Sequence, residues 1–158
     1  MMRPLPLLLL LFPVCTAAGF PSVRSSAADI RLLAGQLARI RSLLTPPPAP
    51  QELAAAFRNR STPLRIGRTA CRPRNGMLAG VVAPGLWLVL ESPDRLVLSD
   101  GNFVYTETAS PGGRFCTFTQ NALRWQGTFP PGQTVPAAES LTVGDATVIT
   151  RSRRTGEY

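Results

Sequence analysis

From Leu64 to the C-terminus the chain is cut into short β-type runs by pairs of turn residues, which restricts it to a sheet whose strands follow one another in order. Asn75-Gly76, Pro84-Gly85, Asp100-Gly101, Gly112-Gly113 and Gly144-Asp145 supply the reversals, because Gly and Asn tolerate positive φ and Pro presets a turn. The spacing predicts strands over Leu64–Ile66, Met77–Val82, Leu86–Glu91, Arg95–Leu98, Phe103–Thr108, Arg114–Thr119, Leu123–Thr128, Ser140–Val143 and Thr147–Arg151. Phe103 with Tyr105, and Leu123 with Trp125, share one face of a strand and read as core. The run Leu86-Trp87-Leu88-Val89-Leu90 is apolar on both faces, so this strand is expected to be covered on both sides.

Upstream the period changes. Ile30, Leu33, Leu37, Ile40 and Leu44 recur at helical spacing, with Leu32 and Leu43 widening the stripe, and Ser26-Ala27-Ala28-Asp29 offers a capping-box-like start. Pro46, Pro47 and Pro48 end that helix. A second helix is predicted from Pro50, at its first position, to about Arg58. The expected fold class is α+β: an N-terminal helix, plus a short second helix, packed on an antiparallel β-meander, with the first helix over the Leu86–Leu90 strand.

The first residues have the order of a secretory signal: Arg3, an apolar run from Leu5 to Val14 interrupted by prolines, then Cys15-Thr16-Ala17-Ala18-Gly19. The run is far shorter than the roughly 20 residues of a membrane-spanning helix, so no transmembrane span is expected. Lipidation of Cys15 would need a small residue just before it, and the sequence there is Phe12-Pro13-Val14. The expected division is a signal peptide over 1–18, a helical segment with a Pro-rich linker over 19–62, and a β-rich region over 63–158 that completes the same single domain. The expected location is exported: periplasmic, cell-surface or extracellular. Signal removal leaves Cys71 and Cys116, an even pair in an oxidising compartment, expected to form a disulfide worth about 4 kcal/mol in the chain-entropy model.

All 17 basic residues are Arg, against nine acidic residues, and the chain contains neither Lys nor His. It therefore cannot build a Ser-His-Asp or Cys-His site, a Schiff base or a His-containing zinc site, and two cysteines do not make a structural zinc cage. It has no phosphate-binding Gly-Lys-Ser/Thr loop and no dinucleotide-binding glycine turn. No metal and no cofactor are expected. The remaining catalytic option is a carboxylate pair drawn from Glu91, Asp94, Asp100 and Glu107, the minimum for a small glycan hydrolase; solvated acids beside turns are the plainer reading. Asn59-Arg60-Ser61 matches a glycosylation sequon, of consequence only in a eukaryotic secretory pathway. Arg151, Arg153 and Arg154 cluster at the end of the last strand, where guanidinium groups suit polyanions: nucleic acid, anionic lipid or glycan.

Two partial resemblances are carried by short motifs. The run Ser26-Ala27-Ala28-Asp29-Ile30-Arg31, then Leu37-Ala38-Arg39-Ile40-Arg41, Ala56-Phe57-Arg58-Asn59-Arg60 and a Cys-bearing β region resembles the helix-then-sheet layout of minor pseudopilins. The closing Thr150-Arg151-Ser152-Arg153-Arg154 is similar to the basic end of their DNA-binding members. That likeness implies an envelope filament subunit or DNA-uptake factor without catalysis; a pilin continues from its Gly-Phe site into a long apolar helix, whereas Gly19-Phe20 leads into Pro21 and Arg24. The stretch Asp100-Gly101-Asn102-Phe103-Val104-Tyr105, Ser110-Pro111-Gly112-Gly113-Arg114-Phe115 and Trp125-Gln126-Gly127 resembles the small β-barrel inhibitors of c-type lysozyme, with Pro111 interrupting their Ser-Gly step and Gln126 replacing their Lys. The expected function is that of an exported non-enzymatic cell-envelope protein, a binding or structural module whose partner is an envelope protein or a polyanion. The alternatives are a carboxylate-dependent hydrolase of envelope glycans and a DNA-binding pilin-like factor.

Overall fold

The computed structural model describes residues 20–59, 63–133, 135–144 and 146–152, with side chains described for 27–59, 63–133 and 135–144. The expected signal segment with Cys15, the Arg60-Ser61 part of the sequon, and Arg153 and Arg154 lie outside the described residues. Two helices, α1 (Phe20–Leu43) and α2 (Pro50–Arg58), precede ten strands: β1 (Leu64–Ile66), β2 (Thr69–Arg74), β3 (Met77–Ala83), β4 (Leu86–Ser92), β5 (Arg95–Ser99), β6 (Phe103–Ser110), β7 (Gly113–Gln120), β8 (Leu123–Phe129), β9 (Ala138–Val143) and β10 (Ala146–Ser152). The fold class is α+β, as the sequence predicts.

Every strand pairs antiparallel with its neighbours in sequence, so sheet order and chain order coincide. The hairpins bring together residues that the turns dictate: Leu88 faces Leu98, Leu98 faces Tyr105, and Tyr105 faces Phe118. β2 is the strand that the sequence reading missed. Its exposed Arg72-Pro73-Arg74 lacks a strand's apolar signal, and Pro73 is tolerated because β1 pairs only with 69–71, leaving that edge of β2 free.

A sheet of ten strands with this twist curls. Register shifts between Val81 and Ala83 and between Leu90 and Ser92 sharpen the bend. As a result, the two ends of the meander reach the same helix. α1 runs alongside β10, and its last turn rests on the β1–β2 turn at Gly67. Gly67 has φ +57°, donates its N–H to Pro46 O at 3.0 Å, and lies so close to the Leu43 carbonyl that a Cβ would collide with it. The α1–α2 junction faces Leu90 across a gap, while Leu33 and Ile40 of α1 share one buried cluster with Leu86, Leu88 and Leu90.

The stripe on α1 is mostly as the spacing predicts: Leu33, Ile40 and Leu44 are buried, with Ile30, Leu37 and Leu43 half-buried against the core. Leu32 is 50% exposed and does not widen the stripe. The helix also runs back to Phe20, so Ser26 lies inside it and not at its start; Pro21 occupies the first turn, where a missing N–H is least costly. The helix ends as the Thr45 hydroxyl donates to Arg41 O (2.7 Å) and the proline run begins. α2 opens with Pro50, and the Glu52 carboxylate accepts the Ala49 N–H at 2.9 Å.

Side chains from α1, α2 and the concave face of the sheet form one core, in which Leu78, Leu88, Leu98 and Phe118 are fully buried. Phe103 stacks on Phe118 with ring centroids 5.6 Å apart. Two expectations fail here. Cys71 and Cys116 are both buried but free: they stand on β2 and β7, five strand steps apart, and are not brought within the reach a disulfide needs. The β4 strand is covered on one face only: Leu86, Leu88 and Leu90 are buried, while Trp87 is 41% exposed.

Candidate functional site

Where the α1–α2 junction stands off the sheet, a cavity of about 180 Å³ remains. Leu44, Leu53, Ile66, Leu90, Leu96 and Ala109 line it, with Pro47 and Pro48 of the junction. The proline run cannot continue the helix down onto the strands, and the bulge after Leu90 turns the end of β4 away, so neither side fills the gap. The volume is close to that of engineered apolar cavities of about 150 Å³ that take up benzene-sized guests. Beside the same helix end, a wider cleft of about 850 Å³ has a more polar lining that includes Arg41, Ser42, Thr45, Arg68 and Thr69.

Asp94, Arg95, Glu107 and Arg114 form the polar part of the cavity wall. Alternation on β6 and β7 explains how a charged pair comes to face inward: Phe103, Tyr105 and Glu107 share one face, as do Arg114, Cys116 and Phe118. Glu107 stands opposite Cys116 and diagonal to Arg114, within reach of a long side chain. Arg114 Nη1 donates to Glu107 Oε1 at 3.2 Å, and the Tyr105 hydroxyl donates to Glu107 Oε2 at 2.6 Å. Arg114 also lies over the Phe129 ring, 5.2 Å from its centroid, and Arg41 of α1 stands 4.4 Å from the same centroid. The helix is thus tied to β8 by a cation–π contact close to the cavity's charged wall.

Burial and the negative charge of Glu107 drive the Tyr105 hydroxyl far above its ordinary range, so it serves as a fixed donor and not as a base. Burial pushes the Cys71 thiol up to about 11 and, with Glu107 adding to the effect, the Cys116 thiol up to about 11 as well. Neither is a thiolate near neutral pH, so neither is an activated nucleophile.

The four carboxylates singled out in the sequence are divided among different duties. Glu91 pairs with Arg95 Nε at 2.7 Å on the exposed face. Asp100 Oδ1 accepts the N–H groups of Asn102 (2.8 Å) and Phe103 (3.0 Å) and so shapes the β5–β6 turn. Only Asp94 and Glu107 reach the same cavity, and Glu107 is engaged by Tyr105 and Arg114. Arg151 stands on β10 opposite Glu139 of β9. Among the described residues no cluster of His, Cys, Asp or Glu suits a metal ion, and no helix is long and apolar enough to cross a membrane. The sequence reading missed the Tyr105–Glu107–Arg114 string. Its signal was present: an acid in phase with Phe103 and Tyr105, and a base in phase with Cys116 and Phe118, on consecutive strands.

Comparison with protein-family models, with curated proteins and with solved structures finds no match.

Proposed function

We propose that this protein is an exported, non-enzymatic binding module of the cell envelope that holds the hydrocarbon part of an amphiphile in the cavity beneath the α1–α2 junction. The observation that carries this reading is the cavity itself: an apolar wall of Leu44, Leu53, Ile66, Leu90 and Leu96 ending at the charged side chains of Asp94, Arg95, Glu107 and Arg114. A guest with an apolar tail and a polar head satisfies both parts of such a wall, whereas a purely apolar guest leaves the charged end unmatched. The adjoining cleft, with Arg41 and Arg68 in its lining, offers room and positive charge for an anionic head. Glu107 is bonded twice and both core thiols are protonated at neutral pH, which favours binding over turnover at these groups.

The test is displacement of a fluorescent fatty-acid probe, comparing the parent with Ala109→Trp. Ala109 lines the cavity while remaining exposed, so an indole there should block entry without burdening the core. Saturable probe binding by the parent and at least a tenfold loss in Ala109→Trp at unchanged melting temperature is the expected result. Absence of saturable binding by the folded parent would overturn the reading.

A further inference from the structure

The convex face of the sheet carries a second apolar region that has no part in the cavity. Across β3, β4, β5 and β6, cross-strand pairing sets Val81 beside Trp87, Ala79 beside Val89, Val89 beside Val97, and Ser99 beside both Trp87 and Val104. Val81 is 52% exposed, Val104 44% and Trp87 41%, and they sit within one contiguous field that includes the half-exposed Val89 and Val97. The edge of this field is cationic. Arg72 and Arg74 of β2 stand opposite Ala79 and Met77 on the same face, both exposed, and the Arg74 guanidinium lies 5.5 Å from the Trp87 ring centroid. Of the acids beside the field, Glu91 is paired with Arg95, and Asp100 accepts the Asn102 and Phe103 N–H groups in the β5–β6 turn.

We propose that this face docks on an anionic lipid bilayer, with Trp87 at the headgroup level, Val81, Val89, Val97 and Val104 against the acyl boundary, and Arg72 and Arg74 on lipid phosphates. The chemistry favours that partner for three reasons. The rim is positive, matching an anionic leaflet. Indole is the side chain most at home where an apolar layer meets water. Arginine binds phosphate through two parallel hydrogen bonds. A folded acidic partner would match the charge but not the aliphatic field across four strands. None of these residues lines the cavity, and only Val81 borders the adjoining cleft.

The experiment is vesicle flotation of the full chain, processed as it is in the cell, on phosphatidylcholine vesicles with and without phosphatidylglycerol. Trp87 emission is followed in parallel; Trp125 is buried in the core and gives a constant background. Binding only to phosphatidylglycerol-containing vesicles, a blue shift, and quenching by brominated acyl chains are expected. Arg72→Ala and Arg74→Ala should each weaken partitioning about fivefold, and Trp87→Ser should abolish the blue shift while leaving fatty-acid probe binding unchanged. Three outcomes overturn the proposal: no flotation, flotation unchanged in the Arg72→Ala/Arg74→Ala/Trp87→Ser variant, or a concentration-dependent dimer that buries Trp87 without lipid.

Discussion

Both faces of β4 and β5 carry large apolar side chains, and those side chains have opposite fates. Inward, Leu86, Leu88, Leu90 and Leu98 are buried against the helices and the far strands; outward, Trp87 is largely exposed and Val89 and Val97 are half-exposed. Apolar composition alone therefore does not decide what a strand buries. The decision lies with the curl, which closes one face around α1 and opens the other to solvent, so the concave face owes its residues to stability and the convex face requires a different reason for its own.

The contrast breaks first if an inward leucine proves dispensable. Leu98, fully buried between Leu88 and Tyr105, should cost about 2 to 5 kcal/mol when changed to Ala, read by urea denaturation. A loss below 1 kcal/mol would mean that the concave face is not the core.

Next in size is alkaline destabilisation. Cys71 and Cys116 both point inward, and their thiol pKa values are raised from 9.0 to about 11. Folding therefore favours the protonated form, and this contribution is fully present below pH 9 and is lost as pH rises toward 11, by up to about 2 to 3 kcal/mol per thiol. A Cys71→Ser/Cys116→Ser variant should lose much of that slope, with Tyr105 adding its own loss at higher pH. Because the thiols are free, reductant should leave both intact mass and melting temperature unchanged; a two-dalton shift would restore the bridge expected from the sequence.

Gly67→Ala tests the join between sheet and helix. It puts an L side chain at φ +57° and a methyl group against the Leu43 carbonyl, and should cost about 2 to 3 kcal/mol. Tyr105→Phe is smaller, about 1 to 2 kcal/mol, because Glu107 keeps its bond to Arg114. Measured melting temperatures in that order would support a concave face organised from its helix junction outward.

Much of this was legible in the sequence because it is local. Asn75-Gly76 and Asp100-Gly101 fix hairpins within a few residues, and alternation alone put Phe103, Tyr105 and Trp125 in the core. What escaped depends on curvature and on distant neighbours. β2 hides behind Arg72-Pro73-Arg74, the separation of Cys71 from Cys116 depends on the number of strands between them, and the cavity exists only because the proline run meets a bulged strand. The charged string at Glu107 and Arg114 could have been found by carrying alternation through the polar positions as well as the apolar ones.

The smallest expected effect is the most informative about the convex face. Val97 lies between Val89 and Thr106 at the centre of the outer field and is half-exposed, so Val97→Thr exchanges a methyl for a hydroxyl of nearly equal shape where water can reach it. Threonine keeps the β-branched preference for a strand, so the backbone loses nothing. The stability change should stay within about 0.5 kcal/mol, the usual range for surface substitutions. If urea denaturation instead shows a loss above 1 kcal/mol, the outer field is packed in solution, by self-association or by a segment folded over it, and the difference between the two faces is not a property of the free protein. If the loss is absent and vesicle binding weakens, the outer face is apolar for a partner's sake and not for the fold's.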